Sequence, residues 1–98
     1  MRPSEVFYAN RDAIREMFLK NHPRLSNLRV FGSVARGEDR EDSDIDFLVS
    51  AKPNASVFEL GGLYSDLEEY FGHKFDLVEE QSIPEKFKPE IFKEAFQV

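Results

Sequence analysis

Seven residues near the middle of the chain, Ser43-Asp44-Ile45-Asp46-Phe47-Leu48-Val49, do most to limit its fold. Successive side chains of an extended strand point to opposite faces. Ile45, Phe47 and Val49 therefore share one face, and Asp44 and Asp46 share the other. The segment reads as a strand buried on one side and acidic on the other. Two carboxylates held this close repel, and one keeps its proton unless a cation intervenes. A hard divalent ion, Mg²⁺ above all, is the usual partner of such oxygen ligands. Taken alone, however, Asp-x-Asp recurs by chance, and a solvated sheet face is then the better explanation. Asp42, Asp44 and Asp46 also imitate the start of a calcium-binding EF-hand loop. Phe47 stands where that loop needs Gly, and Pro53 where it needs a bidentate Glu, so that reading fails.

The flanking segments supply the other elements. Ser4 is placed to cap a helix from about Glu5 to Lys20, with Phe7, Ile14, Met17 and Phe18 on one face. His22-Pro23 ends it. Leu28 to Phe31 reads as a short strand broken at Gly32-Ser33, and Gly37 closes a small turn before the polar connection Glu38 to Asp42. Ser56 caps a second helix to about Phe71, carrying Leu60, Leu63, Leu67 and Phe71, with Gly72 at its C-terminal end. Lys74 to Glu79 is a third strand, in which Asp76 faces away from Phe75 and Leu77. Pro84 opens a closing helical segment that Pro89 divides, leaving a last helix with Ile91, Ala95 and Phe96. The order predicts an α/β (α+β) domain over residues 1–98, a small mixed β-sheet with helices packed on one face.

Composition removes several classes of function. A chain of 98 residues supports one hydrophobic core. The absence of Cys excludes a disulfide framework, a thiolate metal site and a Cys nucleophile. No apolar run is long enough for a membrane span and the first twenty residues do not read as a signal peptide, so a cytoplasmic location is expected. The formal charge of −6 argues against an extended nucleic-acid surface. Of the ten Phe residues, Phe87, Phe92 and Phe96 are hardest to bury together. Some of them forming an oligomer or partner surface is as good a reading as all of them lying in the core. His22 and His73 flank helix ends, where capping or solvation is the ordinary role.

Chemistry gathers around the acidic strand. Gly32 permits close backbone approach, and Ser33 sets a hydroxyl beside the following amides, a combination suited to phosphate. Arg36 adds a charged fork that suits the same oxygens. The turn alone is better explained by a simple strand-to-helix junction with Arg36 paired to a nearby carboxylate. Turn and acidic strand together weigh more. They set phosphate-binding groups beside metal-binding ones, as nucleotidyl transfer requires. If the third strand neighbours the second with its polar face on the same side, Asp76 joins Asp44 and Asp46.

The stretch "GSVARGEDREDSDIDFLV" resembles the signature of the polymerase-β-type nucleotidyltransferase superfamily, and its form is similar to the minimal nucleotidyltransferase (MNT) branch. Asp76 in "FDLV" falls where that family places its third acidic residue, and the closing "EIFKEAF" also fits. The resemblance implies that Asp44, Asp46 and Asp76 are catalytic and hold two Mg²⁺ ions, while Gly32 and Ser33 grip a nucleoside triphosphate. Arg36 is carried over only as a candidate phosphate contact. An acceptor hydroxyl would attack the α-phosphorus of ATP and release pyrophosphate, with Asp76 helping to activate it. MNT proteins pair with a helical HEPN-family toxin as antitoxins and can transfer AMP to a tyrosine of that partner. The resemblance also admits a small-molecule acceptor such as an aminoglycoside, and a non-catalytic antitoxin that neutralises its partner by binding.

Overall fold

The computed structural model describes all residues 1–98. It contains a four-stranded mixed sheet with the strand order β3-β2-β1-β4. Helix α1 (Pro3–Asn21) leads into β1 (Leu25–Phe31), the short α2 (Gly32–Ala35) and β2 (Ile45–Ala51). Helix α3 (Val57–Phe71), β3 (Phe75–Glu79), α4 (Lys88–Glu94) and β4 (Phe96–Gln97) follow. Strand β2 runs antiparallel to β1 and parallel to β3, because a helix intervenes in the β2–β3 connection.

The alternation of β2 decides which face is the core. Ile45, Phe47 and Val49 are fully buried against Phe7, Ile14 and Phe18 of α1 and Leu63, Leu67 and Phe71 of α3. Helix α3 forms where expected. Ser56 and Glu59 make a reciprocal capping box, and Gly72 at φ 60° ends the helix in a conformation that favours glycine. The end of α1 is pinned to α3 by His22, whose Nε2 lies 2.6 Å from Asp66 Oδ2. His22 is thus buried and paired, not a solvated helix end. His73 is exposed.

The opposite face carries a thinner layer. Leu48 and Ile83 are buried outside the main cluster, beneath the 3₁₀ turns at Glu80–Ser82 and Glu85–Phe87 and helix α4. Arg29 ties that layer down. Its guanidinium bonds Glu80 at 3.2 Å and Ser50 at 3.1 Å, and lies 5.6 Å from the Phe92 ring centre.

Two termini differ from expectation. Helix α1 starts at Pro3, and Ser4 lies inside its first turn, its amide donating to the buried Asp39 at 2.9 Å. The N-cap is Arg2, whose amide donates to Glu5, and Asp39, 35 positions from Ser4, accepts a further first-turn amide. At the other end Phe96 leaves the helix and pairs with β1 as part of β4. Its ring packs edge-on against Phe7, whereas Phe87 and Phe92 stay substantially exposed.

Candidate active site

Strand register assembles the site. Phe31 at the end of β1 pairs with Asp46 of β2, and Asp46 pairs with Asp76 of β3. One row across three strands therefore sets the start of the Gly32-Ser33 turn, Asp46 and Asp76 side by side. Paired residues on neighbouring strands project to the same face, so both carboxylates leave the sheet opposite the helical core. Asp44, exposed at the mouth of β2, adds a third negative charge.

Gly32 is required at its place by geometry. Its φ of 76° lies in the region where L side chains are strained. A Cβ there would also fall 2.1 Å from Asp46 Oδ2, well inside contact distance. The bare glycine is what lets the turn lie against the carboxylate. Helix α2 then follows, anchored by the buried Val34, with the Glu38 amide bonding the Ser33 carbonyl at 2.8 Å. Ser33, half-buried, stands in the first turn of α2 directly after that glycine.

The electrostatics follow from the crowding. Asp46 is pushed up to about 6, first by burial, then by the negative charges of Asp76 and Asp44, a hydrogen bond with Asp76 and the charge of Glu94. A carboxyl so placed is stabilised as a carboxylate by a cation. No three acidic or histidine side chains form a closed cage for one ion. Mg²⁺ takes one or two carboxylates and completes its shell with water and substrate phosphate, and the in-register pair Asp46 and Asp76 is what the strands bring together for such an ion. Asp46 and Asp76 stand side by side in register, and Asp44 lies exposed beyond them at the mouth of β2.

Arg36 is engaged within the chain. Its Nε donates to Glu38 at 2.7 Å and its Nη1 to both oxygens of Glu94 at 3.0 and 3.2 Å. Glu94, which sequence reading did not single out, also accepts the Gly32 amide at 2.5 Å. Only one signal pointed toward it. An arginine beside an acidic site needs a counter-ion, and the pattern does not say that the counter-ion lies 58 residues away. Asp39, within the connection that reads as polar from the sequence, is buried.

A glycine turn packed on an in-register carboxylate pair, at the strand ends of a small mixed sheet, is an architecture suited to nucleotidyl transfer. A family model described as polymerase beta, nucleotidyltransferase, matches residues 14–98, and the chain belongs to that family. Its place is among the minimal nucleotidyltransferases. It is similar to protein adenylyltransferase MntA of Thermococcus cleftensis, at 31% identity over 95% of this chain and 89% of that one. A structure described as a minimal nucleotidyltransferase has a TM-score of 0.81 and 33% identity, covering 97% and 95% of the two chains. A toxin–antitoxin crystal structure with AMP-PNP has a TM-score of 0.71 and 25% identity, covering 90% and 71%. Likeness of fold alone extends to a structure of a tri-AMPylated Shewanella oneidensis HEPN toxin in complex with MNT antitoxin. There the TM-score is 0.64 at 22% identity, over 92% and 69% of the chains.

Proposed function

We propose that this nucleotidyltransferase moves AMP from ATP to a hydroxyl of a protein partner, a tyrosine of a HEPN-family toxin, and acts as its antitoxin. The observation that carries this reading is the row Phe31–Asp46–Asp76, which sets two carboxylates beside a glycine turn that no other residue would fit. The kinship with protein adenylyltransferases and with toxin–antitoxin proteins supports the choice of donor and acceptor.

Each residue has a role that follows from its position. Gly32 and Ser33 bind the triphosphate, the first by allowing close approach of the backbone and the second through its hydroxyl. Asp44, Asp46 and Asp76 would hold two Mg²⁺ ions. Bound there, the metal supplies charge neutralisation at the phosphates and a lowered pKa for the attacking hydroxyl. Asp76 is exposed, so an acceptor from another protein can reach it, and it takes the hydroxyl proton. The hydroxyl oxygen forms its bond to the α-phosphorus as the bond to the bridging oxygen breaks, and pyrophosphate leaves.

The test is incubation with ATP, Mg²⁺ and the cognate HEPN-family protein, followed by intact-mass measurement. A partner gain matching AMP, absent with Asp44→Asn or Asp46→Asn, is the expected result. Neutralisation that survives both substitutions with no mass change would instead assign the protein to binding antitoxins. Transfer to an aminoglycoside and not to the protein would move the acceptor to small molecules.

A further inference from the structure

Glu94 closes α4, yet its carboxylate sits on the Gly32 amide and the Arg36 guanidinium at once. A backbone amide beside an arginine fork is a donor set that proteins use for phosphate oxygens. In this structure a side chain fills it. The charge of Glu94 is also one of those that push Asp46 up, after burial, Asp76 and Asp44.

We propose that Glu94 is an internal stand-in for a nucleotide phosphate, a latch that fills the Gly32–Arg36 cradle until a triphosphate displaces it. The idea rests on the nucleotide-binding reading above and goes beyond it by naming what the nucleotide must remove. Displacement is physically accessible. Helix α4 has seven residues and buries none of them fully. Its hold on the sheet beyond Glu94 includes the half-covered Phe92 ring beneath Arg29 and the partly buried Ile91. A triphosphate brings several charged oxygens to donors that Glu94 meets with two. The apparent affinity for nucleotide is reduced by the fraction of molecules whose cradle is open. Removing the latch therefore strengthens binding. A residue that merely positioned Arg36 and Gly32 for the nucleotide would do the reverse, since its loss would leave those donors misplaced.

The experiment compares the wild type with Glu94→Gln, which keeps the shape and removes the charge. AMP-PNP with Mg²⁺ is titrated by calorimetry, and amide hydrogen exchange is followed over residues 88–94. The latch predicts a Kd lower by roughly ten-fold in the variant, the scale of one charge-assisted contact. It also predicts that saturating AMP-PNP speeds exchange in α4 of the wild type, and that the variant shows this speed without nucleotide. An unchanged or weaker Kd in Glu94→Gln overturns the latch, as does an α4 that gains protection in the wild type when AMP-PNP binds. The wild-type exchange measurement decides the matter even where the variant folds poorly. If a folded wild type and a folded variant both fail to bind AMP-PNP, the nucleotide reading falls and takes the latch with it. If both bind equally, only the latch falls.

Discussion

One peptide bond separates Asp46 from Phe47, and the two residues live in opposite worlds. Phe47 faces two long helices in a cluster of fifteen buried apolar residues, its ring centre 5.5 Å from Phe71 and 6.3 Å from Phe7. Asp46 faces a thin layer of short turns and one seven-residue helix, among like charges. The first face gains free energy from burial, about 25 cal/mol per Å² of apolar surface. The second spends some of it, since carboxylates held together in partial burial raise the energy of the folded chain. A strand with period two lets one sequence do both, and the stable face holds the strained one in place.

Substitution of the two neighbours gives the largest expected effects, and in opposite quantities. Asp46→Asn should lower AMP transfer roughly a thousand-fold, about 4 kcal/mol of transition-state stabilisation, while leaving the melting temperature unchanged or higher. Phe47→Ala should cost about 3–5 kcal/mol of folding stability, a large share of the 5–15 kcal/mol typical of a domain, read by denaturant unfolding. If Asp46→Asn unfolds the protein, or Phe47→Ala leaves it stable, the two faces do not divide the work as described.

Gly32→Ala comes next and strikes the boundary between the faces. The positive φ penalises any side chain, and the new Cβ would collide with Asp46 Oδ2. The expected loss of stability is about 1–3 kcal/mol, with a fall in transfer activity larger than that figure alone explains, because the carboxylate must move aside. A folded Gly32→Ala protein with wild-type kcat/KM would sever the turn from the acidic row. Ser33→Ala is the milder companion, since it removes only a hydroxyl. Its effect belongs to nucleotide Kd and not to stability.

What was legible in the sequence, and what was not, divides along the same line. Strand β2 and helix α3 announce themselves because their signals are local. Alternation marks Ile45 to Val49, and a Ser56–Glu59 box with Gly72 brackets the helix. Asp76 was readable for the same reason, its neighbours Phe75 and Leu77 facing the other way. The parallel register that sets Asp76 beside Asp46 is long-range and had to be seen. Strand β4 exists because the edge of β1 is there to receive two residues, so a helix was expected through Phe96. Glu94 and Asp39 escaped notice because each satisfies a backbone amide 62 or 35 positions distant. His22 ends α1 as its sequence position implies, but it is paired with Asp66 of another helix. Pattern shows what a segment prefers; partners far along the chain decide what its polar groups meet.

Asp39 offers the smallest effect and a clean pH signature. Its carboxylate accepts the Ser4 amide of α1 from the loop that leads to Asp44, so it joins the core helix to the approach of the acidic strand. Burial works against its ionisation, yet the Ser4 amide and hydroxyl and the charge of Arg2 together hold the carboxyl below the usual range. A carboxylate whose folded pKa lies below its unfolded value of about 3.9 stabilises the fold above that value. The contribution fades as the pH falls through the folded pKa. Asp39→Asn keeps an oxygen for Ser4 but removes the charge, so it should cost about 1 kcal/mol at pH 7. The gap between variant and wild type should narrow in denaturant unfolding as the pH drops below about 4. A gap that stays constant to low pH would mean that the shape of the side chain, and not its charge, fastens the loop to α1.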